Sequence, residues 1–260
     1  LAPHSPMDAK EENKDKYPSR INTPMFPGKT YAAMVHSLDE AVGDILNALD
    51  QEGIADNTIV LFFSDNGGYY NFGGVNKPLR GGKLEAYEGG VRVNSVIRWP
   101  DVLPGNTVNE NVISVMDVFP TLSEATGVPM QNTKTIDGLD RWDAVTGQGK
   151  KDRGEPLVFT SNVPIHNEFK YGVLDGPWKL VQYVNHERRS TEVRSELFNV
   201  WEDPNEENDI SIEFPQELER LQDILDKRLA RHPIGGQYVK IQPHPGWRAP
   251  NDYADVVVPA

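Results

Sequence analysis

The sequence predicts an α/β protein. A mixed sheet with helices is expected over residues 1–149, and a smaller antiparallel sheet carrying one packed helix over 150–260. Three observations predict it. Residues 59–63 (IVLFF) are apolar without alternation, the pattern of a strand buried on both faces. An amphipathic helical stretch stands directly before that strand. Beyond Lys150 the spacing changes from helical to short strands divided by turn residues, with a last helical stretch after them.

Taken in order, LAPHSP opens as an extended segment that prolines constrain, with His4 between Pro3 and Pro6. As a residue alone, His4 reads as a surface histidine in a loop. Residues 8–27 are charged and aperiodic and predict a surface loop. Residues 31–52 predict a helix, because Met34, Val35, Leu38, Val42, Ile45, Leu46 and Leu49 share one face and Gly53 supplies a stop. Asp56-Asn57-Thr58 turns the chain into the 59–63 strand. A second strand is predicted over 91–99, ended by Pro100, and a third over 112–115. A short helix follows over 117–125, closed by Gly127.

After Lys150, strands are predicted at 157–160, 169–173, 178–183 and 196–199, with Asp175-Gly176-Pro177 as a hairpin turn. The last helix, 215–231, has Pro215 at its start, Glu217 and Glu219 early, and Lys227, Arg228 and Arg231 late. That order matches the helix dipole. Leu218, Leu221, Ile224, Leu225 and Leu229 give it an apolar face. The Pro- and Gly-containing tail, 232–260, predicts no regular structure.

The composition sets bounds on function. A net charge of −13 argues against nucleic acid as a partner. It does not exclude an anionic substrate, because a local cluster of cations outweighs a global field. No apolar run approaches the ~20 residues of a membrane span, so no membrane partner is expected. With no cysteine there is no disulfide, thiolate nucleophile or Cys-type zinc site. No signal-peptide pattern stands at Leu1.

The chemistry-bearing stretch begins where the 59–63 strand ends, at Ser64-Asp65-Asn66-Gly67-Gly68. Open α/β sheets place their sites at such carboxyl ends of strands. Asp65 and Asn66 offer hard oxygen donors, suited to Ca²⁺ or Mg²⁺ rather than to zinc or copper. On its own, Asp-Asn-Gly-Gly reads first as an Asx turn capping the strand, with no metal, since Asn-Gly is a common turn. Lys83 follows in a glycine-rich loop, where a lysine by itself is usually a solvated cation. Arg80 and Arg92 are weaker candidates, for which structural roles bonded to Glu88 compete.

Three motifs in this order carry a resemblance. Ser64-Asp65-Asn66-Gly67-Gly68, then Pro78-Leu79-Arg80-Gly81-Gly82-Lys83, then Tyr87-Glu88-Gly89-Gly90-Val91-Arg92 resemble the second half of a formylglycine-dependent sulfatase. Asp137-Gly138-Leu139-Asp140-Arg141-Trp142 and Gly176-Pro177-Trp178-Lys179-Leu180 are similar to the arylsulfatase B type, which acts on sulfated N-acetylgalactosamine in glycosaminoglycans.

The resemblance implies an alkaline-phosphatase-like fold and sulfate ester hydrolysis, on a sulfated saccharide or aryl sulfate. It makes Asp65 and Asn66 metal ligands, for Ca²⁺ ahead of Mg²⁺, and Lys83 and His4 sulfate contacts. It also implies a secreted, periplasmic or lysosomal protein. The family's nucleophile motif, Cys/Ser-x-Pro-x-Arg, does not occur in these residues, nor does its Lys-x-His pair. Formylglycine and two further Asp ligands are therefore expected on a missing N-terminal half, and the chain alone is expected to hydrolyse nothing. Two other readings remain open at this stage. One is a non-catalytic, glycan-binding or inactive homologue. The other is a related metal-dependent phosphatase or phosphonate hydrolase.

Overall fold

The computed structural model describes residues 3–18, 28–131, 135–163, 168–186 and 191–231. The expected irregular tail, 232–260, lies outside the described residues.

A single helical turn, α1 (Glu11–Lys14), interrupts the stretch expected to be loop. The reason is local packing. Asn13 is fully buried against the next helix, where its amide donates to Ser37 Oγ and Glu40 Oε2, each at 2.9 Å. That helix is α2 (Gly28–Gln51), the predicted amphipathic element. It ends as the sequence requires. Gly53 takes φ +69°, its amide reaches Asp50 O at 3.1 Å, and the Ile54 amide reaches Leu49 O at 3.1 Å. This pair of bonds closes the helix C-terminus, and only glycine adopts that backbone without strain.

Strand β1 (Val60–Phe63) follows, then helix α3 (Glu88–Val91), then strand β2 (Ser95–Arg98). β1 and β2 pair antiparallel, with Leu61 opposite Ile97 and Phe62 opposite Val96. Two expectations need correction here. The strand predicted over 91–99 is shorter, because Val91 belongs to α3, where the Arg92 amide closes onto Glu88 O at 2.7 Å. β1 is not buried on both faces either. Phe62 is 40% exposed, Phe63 39% and Val96 62%. The apolar run demands cover, and among the described residues β2 is its only pairing strand.

The strand expected over 112–115 is also absent. Val112 makes one bond, to Lys151 O, and Ser114 instead caps a 3₁₀ turn, Val115–Asp117. Ser114 Oγ accepts from the Met116 amide while Asp117 returns a carboxylate to the Ser114 amide, a reciprocal capping box. Helix α4 (Val118–Thr126) continues from it and stops at Gly127, as predicted. A short helix, α5 (Trp142–Val145), precedes the second half.

The second half forms the expected antiparallel sheet. Strands β3 (Leu157–Val163), β4 (Glu168–Asp175), β5 (Trp178–His186) and β6 (Thr191–Asn199) pair in sequence order. Side chains alternate between the faces. Leu180 and Leu197 point with Tyr171 and Val173 toward helix α6 (Pro215–Leu229), where they bury Leu221 and Leu225. Their neighbours Val181 and Phe198 point the other way and bury Ala86, Tyr87 and Val200. At about 1.5–3 kcal/mol per buried aliphatic or aromatic side chain, both faces contribute to stability. The second face matters for function, because Ala86 and Tyr87 belong to the stretch between Lys83 and α3.

Candidate functional site

Asp65 and Asn66 sit just past the end of β1, Asp65 exposed and Asn66 half-buried. The turn is fixed from within. Ser64 Oγ donates to Asn66 O at 2.8 Å, and Asn66 Nδ2 donates to Gly67 O at 3.0 Å. With its NH₂ engaged on the backbone, Asn66 keeps its side-chain oxygen for another partner. The bond runs from the side-chain amide to a backbone carbonyl, the reverse of an Asx turn, in which the side-chain oxygen accepts from a backbone amide. The Asp65 carboxylate stands exposed beside it.

The loop is then locked from outside. The Gly67 amide donates to Gly90 O at 2.9 Å. A Cβ on Gly67 would lie 1.7 Å from Gly89 O, so only glycine permits this approach. Asn76 braces the next residue: its Oδ1 accepts from the Gly68 amide at 2.7 Å, and its Nδ2 donates to Gly68 O at 2.9 Å and Gly81 O at 3.1 Å. The Lys83 amide also donates to Gly68 O, at 3.2 Å. The backbone of Lys83 is thereby joined to the loop that carries Asp65 and Asn66.

Lys83 is half-buried, and among the described residues no carboxylate lies within ion-pair distance of its ammonium. Leu84, next to it, adopts φ +74°. A left-handed backbone at a non-glycine residue costs on the order of 1 kcal/mol, and such outliers gather at functional sites. His4 is exposed, and its Nδ1 donates to Ser5 O at 2.9 Å. Among the described residues no hydrogen bond or ion pair joins His4 to the Asp65–Lys83 region. The structure thus brings Asp65, Asn66 and Lys83 onto one braced pair of loops.

The two arginines stabilise structure. Arg80 donates to Glu206 O at 2.9 Å, lies over the Tyr87 ring at 4.0 Å and pairs with Glu196 at 3.5 Å. Arg92 pairs with Glu88 at 3.7 Å. Around them lies a polar layer that the sequence reading missed. Glu85 accepts from Lys170 at 2.6 Å and from Tyr183 at 2.7 Å. Tyr87 donates to Glu196, and burial, then that bond, pushes the Tyr87 hydroxyl up to about 12. Lys179 is fully buried between Glu88, at 2.7 Å, and Glu206, at 3.0 Å. Burial pushes the Glu206 carboxyl up, against the opposing pull of Lys179 and of the Glu88 amide. A signal for this layer did exist: a lysine at position 179, inside the apolar strand Trp178-Lys179-Leu180-Val181, has to be paired if it faces inward.

The donor set at residues 65 and 66 fits a hard divalent cation in kind. It falls short of the about six to eight oxygens that Ca²⁺ takes. Among the described residues no group of three or more His, Cys, Asp or Glu side chains could hold a metal. These residues would supply part of a coordination shell.

Comparison with known proteins agrees with the motifs. A family profile described as Sulfatase matches residues 1–128, and one described as N-sulphoglucosamine sulphohydrolase, C-terminal, matches 82–233. Human arylsulfatase H is 38% identical over 163 residues, which cover 56% of this chain and 29% of that protein. An N-acetylgalactosamine-6-O-sulfatase of Bacteroides thetaiotaomicron is 27% identical over 237 residues, 82% of this chain and 45% of that protein. The crystal structure of Ps i-CgsB superposes with a TM-score of 0.75 at 29% identity, covering 87% of this chain and 48% of that one. The chain therefore spans about half the solved relative, and no more than that of these curated ones. The alkaline-phosphatase-like fold expected from the motifs is the fold of these solved relatives.

Proposed function

The chain belongs to the sulfatase family, and from that premise we propose that the complete protein hydrolyses sulfate esters of a glycan. In this reading Asp65 and Asn66 are two ligands of a Ca²⁺ site, with Mg²⁺ the lesser candidate. Lys83 contacts the sulfate. The observation that carries the reading is the bond between the Lys83 amide and Gly68 O, which ties a cation without an internal carboxylate partner to a turn presenting two oxygen donors. Sulfate ester cleavage builds charge on non-bridging oxygens and on the leaving oxygen. A fixed ammonium stabilises the first, and a proton donor such as His4 would assist the second. When bound, the cation would add charge neutralisation at the sulfate, and formylglycine would bring the attacking oxygen.

A saccharide substrate is supported by the relatives' names. One is an N-acetylgalactosamine-6-O-sulfatase, and Ps i-CgsB is also solved in complex with k-i-k-neocarrahexaose. The companion half with formylglycine, and a secreted, periplasmic or lysosomal location, belong to the same proposal. No helix among the described residues is long and apolar enough to cross a membrane.

The test is an assay of the complete protein, with Ca²⁺ present, against a panel of sulfated saccharides and an aryl sulfate. Sulfate release is expected on at least one of them. Absence of turnover across the panel, from a protein shown to carry formylglycine, would reject the reading in favour of an inactive homologue.

A further inference from the structure

The fully buried ammonium of Lys179 serves no solvent-facing purpose, and the sulfatase reading gives it none. Its carboxylate partners come from two different segments. Glu88 opens α3, the helix whose glycines clasp the Asp65–Gly68 turn. Glu206 follows β6. Glu88 Oε1 lies 2.7 Å and Glu206 Oε1 3.0 Å from Lys179 Nζ. Glu206 Oε2 also accepts from the Glu88 amide at 2.6 Å, so both the side chain and the backbone of Glu88 are held. Arg92 adds a second cation to Glu88 from the solvent side, at 3.7 Å.

From Glu88 the path to the turn has little slack. The Gly89 amide donates to Arg80 O at 2.7 Å, and Arg80 donates to Glu206 O at 2.9 Å. A Cβ on Gly89 would lie 2.5 Å from both Arg80 O and Gly81 O, and one on Gly90 2.2 Å from Glu85 O. Gly90 O then receives the Gly67 amide. The links from Gly89 to Arg80 and from Gly67 to Gly90 are backbone against backbone, so a displacement of α3 is passed on to the turn there rather than absorbed by a side chain. Glu206 also holds φ +56° although it is not glycine, a strained backbone that persists only where its surroundings demand it. A buried ion cluster is weak evidence for a purely stabilising role, since such clusters can often be exchanged for apolar groups without loss.

We propose that Lys179 is a positioning residue. By fixing Glu88 it holds, through the α3 backbone, the turn that presents Asp65 and Asn66, so the C-terminal sheet sets the geometry of the cation site. The inference rests on the sulfatase reading for the identity of the site, and the experiment separates the two.

Ca²⁺ is titrated calorimetrically into the complete protein, into Lys179→Met, and into Lys179→Met/Glu88→Gln/Glu206→Gln. The triple variant removes all three charges of this cluster and is expected to fold where the single variant leaves Glu206 without a cation and Glu88 with Arg92 alone. Weakening of Ca²⁺ binding by about 10–100-fold is expected in each variant that keeps the far-UV and near-UV spectra of the parent, as for other outer-shell partners of metal ligands. Native-state amide exchange of the unsubstituted protein supplies an arm that needs no variant. Gly67 and Gly89 are expected to exchange in one cooperative unit with Leu180 and Val181 of β5. Unchanged Ca²⁺ affinity in a folded variant overturns the proposal. So does independent, early exchange of Gly67 and Gly89 in the unsubstituted protein. A parent protein that binds no Ca²⁺ rejects the sulfatase reading of residues 65 and 66 instead, and the exchange arm still decides whether the sheet and the turn are coupled.

Discussion

Gly67 and Gly89 meet backbone to backbone: a methyl group on Gly67 would stand 1.7 Å from the Gly89 carbonyl oxygen. Neither partner is the movable end of a side chain, so Gly67→Ala has to shift the turn or α3. We expect a loss of about 1–3 kcal/mol in stability from overpacking, and weaker Ca²⁺ binding by the complete protein. Denaturant melts and calorimetry check this together. A variant with parental stability would mean that the turn has room the structure does not show.

Lys83→Ala in the complete protein is expected to lower kcat/KM by about 10²-fold or more, because it removes fixed positive charge where charge develops. Its stability should hardly change, since its ammonium joins no ion pair among the described residues. Activity within a factor of about two of the parent would take Lys83 out of the site.

Asp117 gives the chain an acid-sensitive joint. Its carboxylate is fully buried and accepts from Arg153 at 2.6 and 2.9 Å, from the Leu139 amide at 2.8 Å and from the Ser114 amide at 2.9 Å. Burial pushes this carboxyl up, but Arg153 and the two amides outweigh it and hold it below its ordinary value. The unfolded chain therefore binds the proton first. The stabilisation is present above the ordinary Asp value, about 3.9, and is lost as pH falls through the lower folded-state value. Asp117→Asn leaves Arg153 buried without its partner and is expected to cost about 3–5 kcal/mol near neutral pH. The variant should also lose part of the slope of melting temperature against pH below about pH 4. Equal slopes in parent and variant would assign the acid sensitivity elsewhere.

What the sequence revealed, and what it hid, follows from the range of the interactions. α2 and α6 were legible because their apolar faces and end signals are local: Gly53 stops one and Pro215 starts the other. The four-stranded sheet was legible for the same reason, through alternation and a two-residue turn at Gly176-Pro177. The motif residues Asp65, Asn66 and Lys83 were legible as chemistry, and their common placement emerged only with the brace from Asn76. Lys179 and Glu206 were hidden because their meaning lies in partners far along the chain. Lys179 meets Glu88 across 91 positions, and no periodicity encodes such a pairing. The 91–99 strand was overextended because Val91-Arg92-Val93 has strand composition, while long-range bonds to Arg80 and Glu206 impose a helical turn just before it.

The last prediction concerns these 260 residues expressed alone. They hold no Cys/Ser-x-Pro-x-Arg sequence, so no residue in them can become formylglycine in the family's motif, and only two of the proposed cation's ligands are among them. The structure adds a second reason for failure. Ile59, Leu61, Phe119, Leu122, Val128 and Met130 line an open apolar groove of ≈ 450 Å³, and Phe62, Phe63 and Val96 stand exposed on the strands beside it. Leu61 and Phe63 fall on one face of β1 and Phe62 with Val96 on the other, so apolar surface is open on both faces. Such surface belongs against other polypeptide, and left open it drives association. We therefore expect this chain alone to run as soluble aggregate or to precipitate, and to release no sulfate from an aryl sulfate with Ca²⁺ present. Light scattering and a sulfate-release assay read the two parts separately. Co-expression with a polypeptide carrying the nucleophile motif is expected to restore a discrete species and turnover. A monodisperse monomer with multiple turnovers from this chain alone would show that the nucleophile lies among these residues and that the site has been misplaced.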